Sequence, residues 1–241
     1  MNYDISRPGP STQPDLELLA AREQHRFGMG KRAVIAATAL TGWFGLLLQF
    51  PISIATSRAA GMSMIGAVLT YLSFFTILTN LLAALALTVS WWPKSHWGGF
   101  FSRPIVTSGL ATHMAMVGIV YALLLRHTWD PEGLQKIADM VLHDIAPVMF
   151  FGCWLIALPK ARLSWKNVLF WLLYPLIYLG FILSRGALTR RYPYPFIDAG
   201  KLGYPLVLAN ATALVIAFLV LGLLVLAIGR WMSSHKVAQR T

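Results

Sequence analysis

Asp139 and His143 sit four residues apart inside the otherwise apolar run 137–158. Imidazole and carboxylate are expensive in hydrocarbon, so a span that keeps both is expected to line a polar site rather than face lipid. An offset of four puts the two side chains on one helical face. Asp139 can then bond one ring nitrogen and fix the tautomer, leaving the other nitrogen as a proton acceptor, which is the chemistry of a general base. The structural alternative is a histidine that donates to a neighbouring helix. Asp144 projects about 100° away and is available to another helix or a loop.

A second polar set lies in the run 64–90, where Ser73, Thr76 and Asn80 share one face and Thr79 occupies the next. A threonine in a membrane helix commonly bonds the carbonyl one turn back, and a stripe of this kind commonly joins helices, so both structural readings stand beside a catalytic one. On straight helices Thr76 would lie about 18 Å, and His143 about 9 Å, from the same ends of their spans. Asn210, Tyr174 and Tyr178 add donors toward the same interior, and Pro147 and Pro175 interrupt helices there, as bundles tolerate where a cavity is lined. Together these residues predict a polar pocket opening at one end of the bundle. His113 and His143 fall at different depths, which argues against one haem or metal between them, and neither metal nor cofactor is expected. Cys153 is the only cysteine, so internal disulfides and thiolate clusters are excluded.

The connection 184–198 carries Arg185, Arg190 and Arg191 together with two prolines and three aromatic residues. Prolines fix the backbone and rings pack it, so the loop is predicted to be ordered. Arg185 is the candidate to hold the carboxylate or phosphate of an amphiphile through its planar donor fork, the alternative being a lipid-headgroup contact. Arg190 and Arg191 are expected to be solvated.

Something must hold these side chains in register, and composition says what. With 57% hydrophobic residues and only 12% charged over 241 residues, the chain is too apolar for a water-soluble domain. Six runs approach the roughly 20 residues that span a hydrocarbon core: 33–55, 64–90, 104–125, 137–158, 165–184 and 205–231. The predicted fold is all-α, a six-transmembrane-helix bundle over 33–231, with a largely disordered tail at 1–32, apart from a short amphipathic helix that Leu16 to Phe27 suggest, and a short tail at 232–241. The first 32 residues lack the apolar centre of a signal peptide, so the first run is expected to remain as a span.

A net charge of +11 does not imply nucleic acid, because the basic residues are dispersed over helix ends. Thirteen of the 20 lie on the side of both termini and seven opposite, which predicts cytoplasmic termini. Trp91, Trp92, Trp97, Trp165 and Trp231 mark the same interface, and Trp129, Tyr192, Tyr194 and Tyr204 the other.

Phe74-Phe-Thr-Ile-Leu-Thr-Asn-Leu-Leu82, Leu142-His-Asp-Ile-Ala-Pro147, Tyr174-Pro, Ser184-Arg-Gly186 and Tyr192-Pro-Tyr-Pro-Phe196, in that order, resemble the androgen-induced-protein family of multispan lipid hydrolases, and most closely its bacterial six-span branch. The likeness covers about residues 33–230. It implies hydrolysis of fatty acid esters of hydroxy fatty acids within a bacterial inner membrane, with Thr76 as nucleophile and His143 as base. Thr79, in the same short motif, is the alternative nucleophile. On that footing Asp139 would orient the base, Asn80 or Asn210 would donate to the developing oxyanion, and Arg185 and Tyr178 would bind the lipid-like substrate, Arg185 at its free carboxylate. The competing function is a non-catalytic membrane protein that binds or transports a lipid or small amphiphile; no inverted repeat supports transport.

Overall fold

In the computed structural model, residues 12–160 and 163–238 are described, with side chains for 28–160 and 163–234. Apolar runs without a turn signal become helices, and no strand forms among the described residues. The chain order is α1 (Thr12–Ala59), α2 (Met64–Tyr71), α3 (Phe75–Val89), a short α4 (His96–Phe101), α5 (Pro104–Val120), α6 (Gly133–Met140), α7 (Ala146–Ile156), α8 (Trp165–Thr189) and α9 (Ala199–Ala238). Among the described residues five helices are long and apolar enough to cross a membrane, and α2 with α3 makes a sixth span if the bent pair counts as one. Leu47, Ile65, Leu123, Val148 and Ile177 are each at least 67% exposed, a degree of apolar exposure that only lipid accommodates along several helices at once. The protein is an integral, multi-pass membrane protein.

The tail expected to be largely disordered to residue 32 is helical from Thr12 and runs unbroken into the first span. Residues 1–11 of that expectation lie outside the described residues. At the other end α9 continues to Ala238, with its one bend at Gly203 (φ 72°) just before Pro205.

The core gathers on one half of the bundle, where Trp154, Phe150, Met114, Leu87 and Val168 are almost wholly enclosed. Trp154 donates its indole N–H to Ser108 Oγ at 3.0 Å, so its one polar atom is satisfied inside that apolar packing. Here α5 packs on α7 and α9, and α1 on α3 and α7.

Two local departures from α geometry shape the other half. First, the second span does not run straight: α2 and α3 meet at 75° across residues 72–74. In a bilayer every backbone group freed by such a break needs a partner. Ser73 Oγ bonds the Thr70 carbonyl at 2.7 Å, Tyr178 donates to the Ser73 carbonyl at 2.8 Å, and the Thr76 N–H donates to the Tyr194 hydroxyl at 3.3 Å. The straight-helix depth for Thr76 is therefore overturned: Thr76 stands in the first turn of a new helix. Second, residues Tyr121–Leu125 and Val141–Ile145 are π turns inserted into the third and fourth spans. One residue too many per turn swings its neighbours out of the helical register, which is how such insertions re-aim side chains. Pro147 follows the second π turn and cannot bond the His143 carbonyl one turn back. Gly118 answers it: a Cβ there would sit 3.4 Å from that oxygen, so the absence of a side chain lets α5 approach the freed group.

Candidate active site

The two π turns face each other. They carry Tyr121 and His143, whose rings stack at 4.2 Å between centroids and 17° between planes. The Tyr121 hydroxyl donates a short hydrogen bond to Asp139 Oδ2. Asp139, 4% exposed, also brings Oδ1 within 3.1 Å of His143 Nδ1. That nitrogen has its hydrogen bond with the Asp139 main-chain carbonyl, at 2.9 Å. A carbonyl oxygen only accepts, so in the neutral ring Nδ1 bears the proton and Nε2 keeps its lone pair. No hydrogen bond to Nε2 is found among the described residues. The main-chain carbonyl of residue 139 thus fixes the tautomer, a part the sequence assigned to the Asp139 side chain, and the carboxyl group lies alongside.

Arg126 closes the stack from outside, with its guanidinium 4.9 Å from the Tyr121 ring centre and ion-paired to Asp144. That pairing raises the Arg126 pKa above its ordinary value and gives Asp144 the separate partner its position on the helix implied.

His143 and Asp139 line a cavity of about 360 Å³, and Thr76 lines it too. Ser53, Ser57 and Thr70 add hydroxyls to the wall. Gln49 and Gln135 pair their amides across it at 2.9 and 3.2 Å. Ala60, Met62 and Trp129 also border it, so the chamber lies at the end of the bundle where α1 joins α2 and the third span joins the fourth, away from the termini. Thr79 does not line it. Thr79 is fully buried and shares a hydrogen bond with the Tyr174 hydroxyl at 3.1 Å. Of the two candidate nucleophiles, only Thr76 shares a chamber with the imidazole.

The supporting residues distribute differently from expectation. Asn80 gives its amide hydrogens to the carbonyls of Thr76, at 2.9 Å, and of Leu142, at 3.2 Å. Both donors are spent, so Asn80 has none for an oxyanion; it clamps the backbone of Thr76 to the residue before His143. Asn210 is also corrected: its amide donates to the Phe196 carbonyl at 2.8 Å, which ties the last loop to α9 and keeps Asn210 out of the chamber. Tyr178 lies on the far side of Thr76, in a separate apolar cavity, with its proton committed to Ser73. Arg185 does not border the chamber itself but donates to Thr70 Oγ1, on the chamber wall, at 2.9 Å.

His113 is explained by Pro175, which leaves the Trp171 carbonyl without its helical N–H. His113 Nε2 meets that oxygen at 3.0 Å. No cluster of three metal-ligating side chains occurs among the described residues.

Four further residues shape the site without a local signal in the sequence. Tyr121 reads as one more apolar residue of its span, since nothing local signals an aspartate 18 positions later. Gln49 and Gln135 were visible as amides in or beside apolar runs. Tyr194 reads as an interface aromatic in the sequence, yet it reaches Thr76. The ordered loop delivers it: the Tyr192 ring folds so tightly over α8 that a Cβ on Gly186 would lie 2.0 Å from it, and Tyr194 stacks on Phe196 at 5.3 Å.

Loss of the Asn80 clamp has a defined outcome. Hydrogen bonds between membrane helices contribute about 0.6 kcal/mol each, so Asn80→Ala, which removes the one to Leu142 along with the bond to Thr76 within its own helix, should destabilise the protein by about 0.6 kcal/mol in denaturant titrations in detergent. A larger fall in kcat than that loss explains is expected, because the clamp sets the spacing of Thr76 and His143.

Comparison with protein-family models, with curated proteins and with solved structures finds no match to this chain.

Proposed function

We propose that the protein is an intramembrane ester hydrolase acting on lipids, with Thr76 as nucleophile and His143 as general base. One observation carries the reading: a hydroxyl and an imidazole with an uncommitted Nε2 line one cavity, beside a buried carboxylate. A threonine hydroxyl attacks a carbonyl only as a base removes its proton, and a base serves only in the correct tautomer. The Asp139 carbonyl selects that tautomer, and the Asp139 carboxylate stabilises the imidazolium that forms. Thr76 Oγ1 attacks the ester carbon and passes its proton to Nε2; the imidazolium returns it to the leaving alkoxide. Water then repeats the sequence on the acyl-threonine and releases the fatty acid.

The position of Thr76 at the head of α3 suits the negative charge this chemistry creates. First-turn amides lack helical acceptors and carry the positive end of the helix dipole. Thr76 and Ile77, which border the chamber, belong to that turn. The Tyr194 hydroxyl accepts from the Thr76 N–H and so holds the start of the helix that carries the nucleophile.

The residues named fit the androgen-induced-protein likeness, with a fatty acid ester of a hydroxy fatty acid as substrate. The excess of basic residues near the termini supports cytoplasmic ends, a chamber open toward the opposite face, and residence in a bacterial inner membrane.

Purified protein in detergent, given a long-chain ester alone, should release free acid. Rapid quenching should leave an acyl adduct on the peptide containing Thr76, seen by mass spectrometry. Saturable lipid binding with neither acid release nor adduct would instead favour a carrier.

Arg185, beside Thr70 at the chamber wall, is assigned to the substrate's free carboxylate. Hydrogen bonds to charged groups contribute about 1.5–3 kcal/mol, so Arg185→Gln should raise KM about tenfold to a hundredfold for esters bearing a carboxylate. Neutral esters of equal length should show little change.

A further inference from the structure

Thr76 borders a second cavity, of about 90 Å³, on the side away from His143. Its walls come from α5 and α9, chiefly Met116, Val117, Val120, Leu214, Val215 and Phe218. The polar side chains reaching it are Thr76, Tyr178 and Tyr194, and the tyrosines are already engaged, Tyr178 with the Ser73 carbonyl and Tyr194 with the Thr76 N–H. A polar ligand would find almost nothing to bond there; a hydrocarbon chain loses nothing by entering.

The direction of the chemistry says which chain. The general base must return its proton to the leaving oxygen, so the alcohol half of an ester lies on the His143 side of the attacked carbon. The acyl half is then directed to the other side of Thr76. We infer that the apolar cavity between α5 and α9 is the acyl-chain site, and that the chamber containing His143 and Asp139 receives the leaving hydroxyl and its chain. In the acyl-enzyme the new bond joins Thr76 Oγ1 to the carbonyl carbon, the old bond to the alkoxy oxygen is broken, and the hydrocarbon remains in the cavity until water releases it.

This assignment rests on the hydrolase reading, so its test has one arm that needs turnover and one that does not. In the first, wild type and the variants Ala211→Phe and Val215→Phe, each of which narrows the cavity from α9, are given two series of esters, one varying the acyl chain and one varying the alcohol chain. The ratio of long-chain to short-chain kcat/KM should fall about tenfold or more along the acyl series, since crowding a hydrophobic pocket by even one methylene changes discrimination on that scale. The corresponding ratio along the alcohol series should stay within about twofold. A response confined to the alcohol series, or equal in both, overturns the assignment. In the second arm, a fatty acid bearing a diazirine near its methyl end is photolysed with the detergent-solubilised protein. Adducts should map to peptides containing Val117 and Val120 or Leu214 to Phe218, and should decline in both variants. Adducts only on the outer faces of the helices, or only in the His143 chamber, overturn it. Cavity adducts without any ester turnover in wild type would sink the hydrolase reading while retaining the chain site.

Discussion

Thr76→Ala and His143→Ala should each lower kcat by about 10⁴-fold or more, with the double variant hardly worse than either single one. Groups that act as a unit in nucleophilic catalysis give losses of about 10⁴ to 10⁶ that are grossly non-additive, because removing one leaves the other nothing to do. The arrangement makes the same demand, since Thr76 and His143 face one chamber and the imidazole has only Nε2 to offer. Thr79→Ala provides the contrast. Its hydroxyl is occupied by Tyr174 and lies away from the chamber, so that variant should retain most of its activity. Initial rates of acid release from a long-chain ester, on variants whose elution and thermal unfolding in detergent match wild type, decide the matter. Equal activity in Thr76→Ala and wild type would transfer the role elsewhere.

Asp139→Ala should cost about 10² to 10³ in kcat with KM little altered. In triads where a carboxylate alone sets the tautomer, its amide replacement costs about 10⁴. Here the main-chain carbonyl of residue 139 holds the Nδ1 proton whatever the side chain, so only stabilisation of the imidazolium is lost. Tyr121→Phe probes the same charge from behind. It removes the donor to Oδ2 while retaining the stacked ring, and a loss of about tenfold corresponds to one hydrogen bond to a charged group. Tyr121 acts only through Asp139, so the double variant should be no slower than Asp139→Ala alone. Additive losses would mean that the tyrosine touches substrate directly.

The chemistry-bearing residues are plainer in the sequence than the geometry that joins them. Hydrocarbon penalises every polar group it encloses, so His143, Asp139 and Thr76 stand out against apolar neighbours with no structure in view. Their partners are not visible in the same way. Asn80 and Asn210 have the same side chain and similar surroundings in sequence, yet one ties Thr76 to Leu142 and the other fastens a loop to α9. An amide's hydrogen bonds depend on which carbonyls pass within about 3 Å, a matter of helix packing. His113 likewise looks as functional as His143 until Pro175 is seen to leave a carbonyl beside it.

Helical structure, residence in a membrane and a few ionisable side chains held where lipid would expel them are legible along the chain, because span length and hydrophobicity are properties of consecutive residues. The break of the second span at residues 72–74, the two π turns that bring Tyr121 against His143, and the place of Thr76 rather than Thr79 in the imidazole's chamber arise from packing between helices. Each of these depends on groups far apart in the chain satisfying one another, with Tyr194 reaching Thr76 across 118 positions to cap a helix that local preference would have left straight.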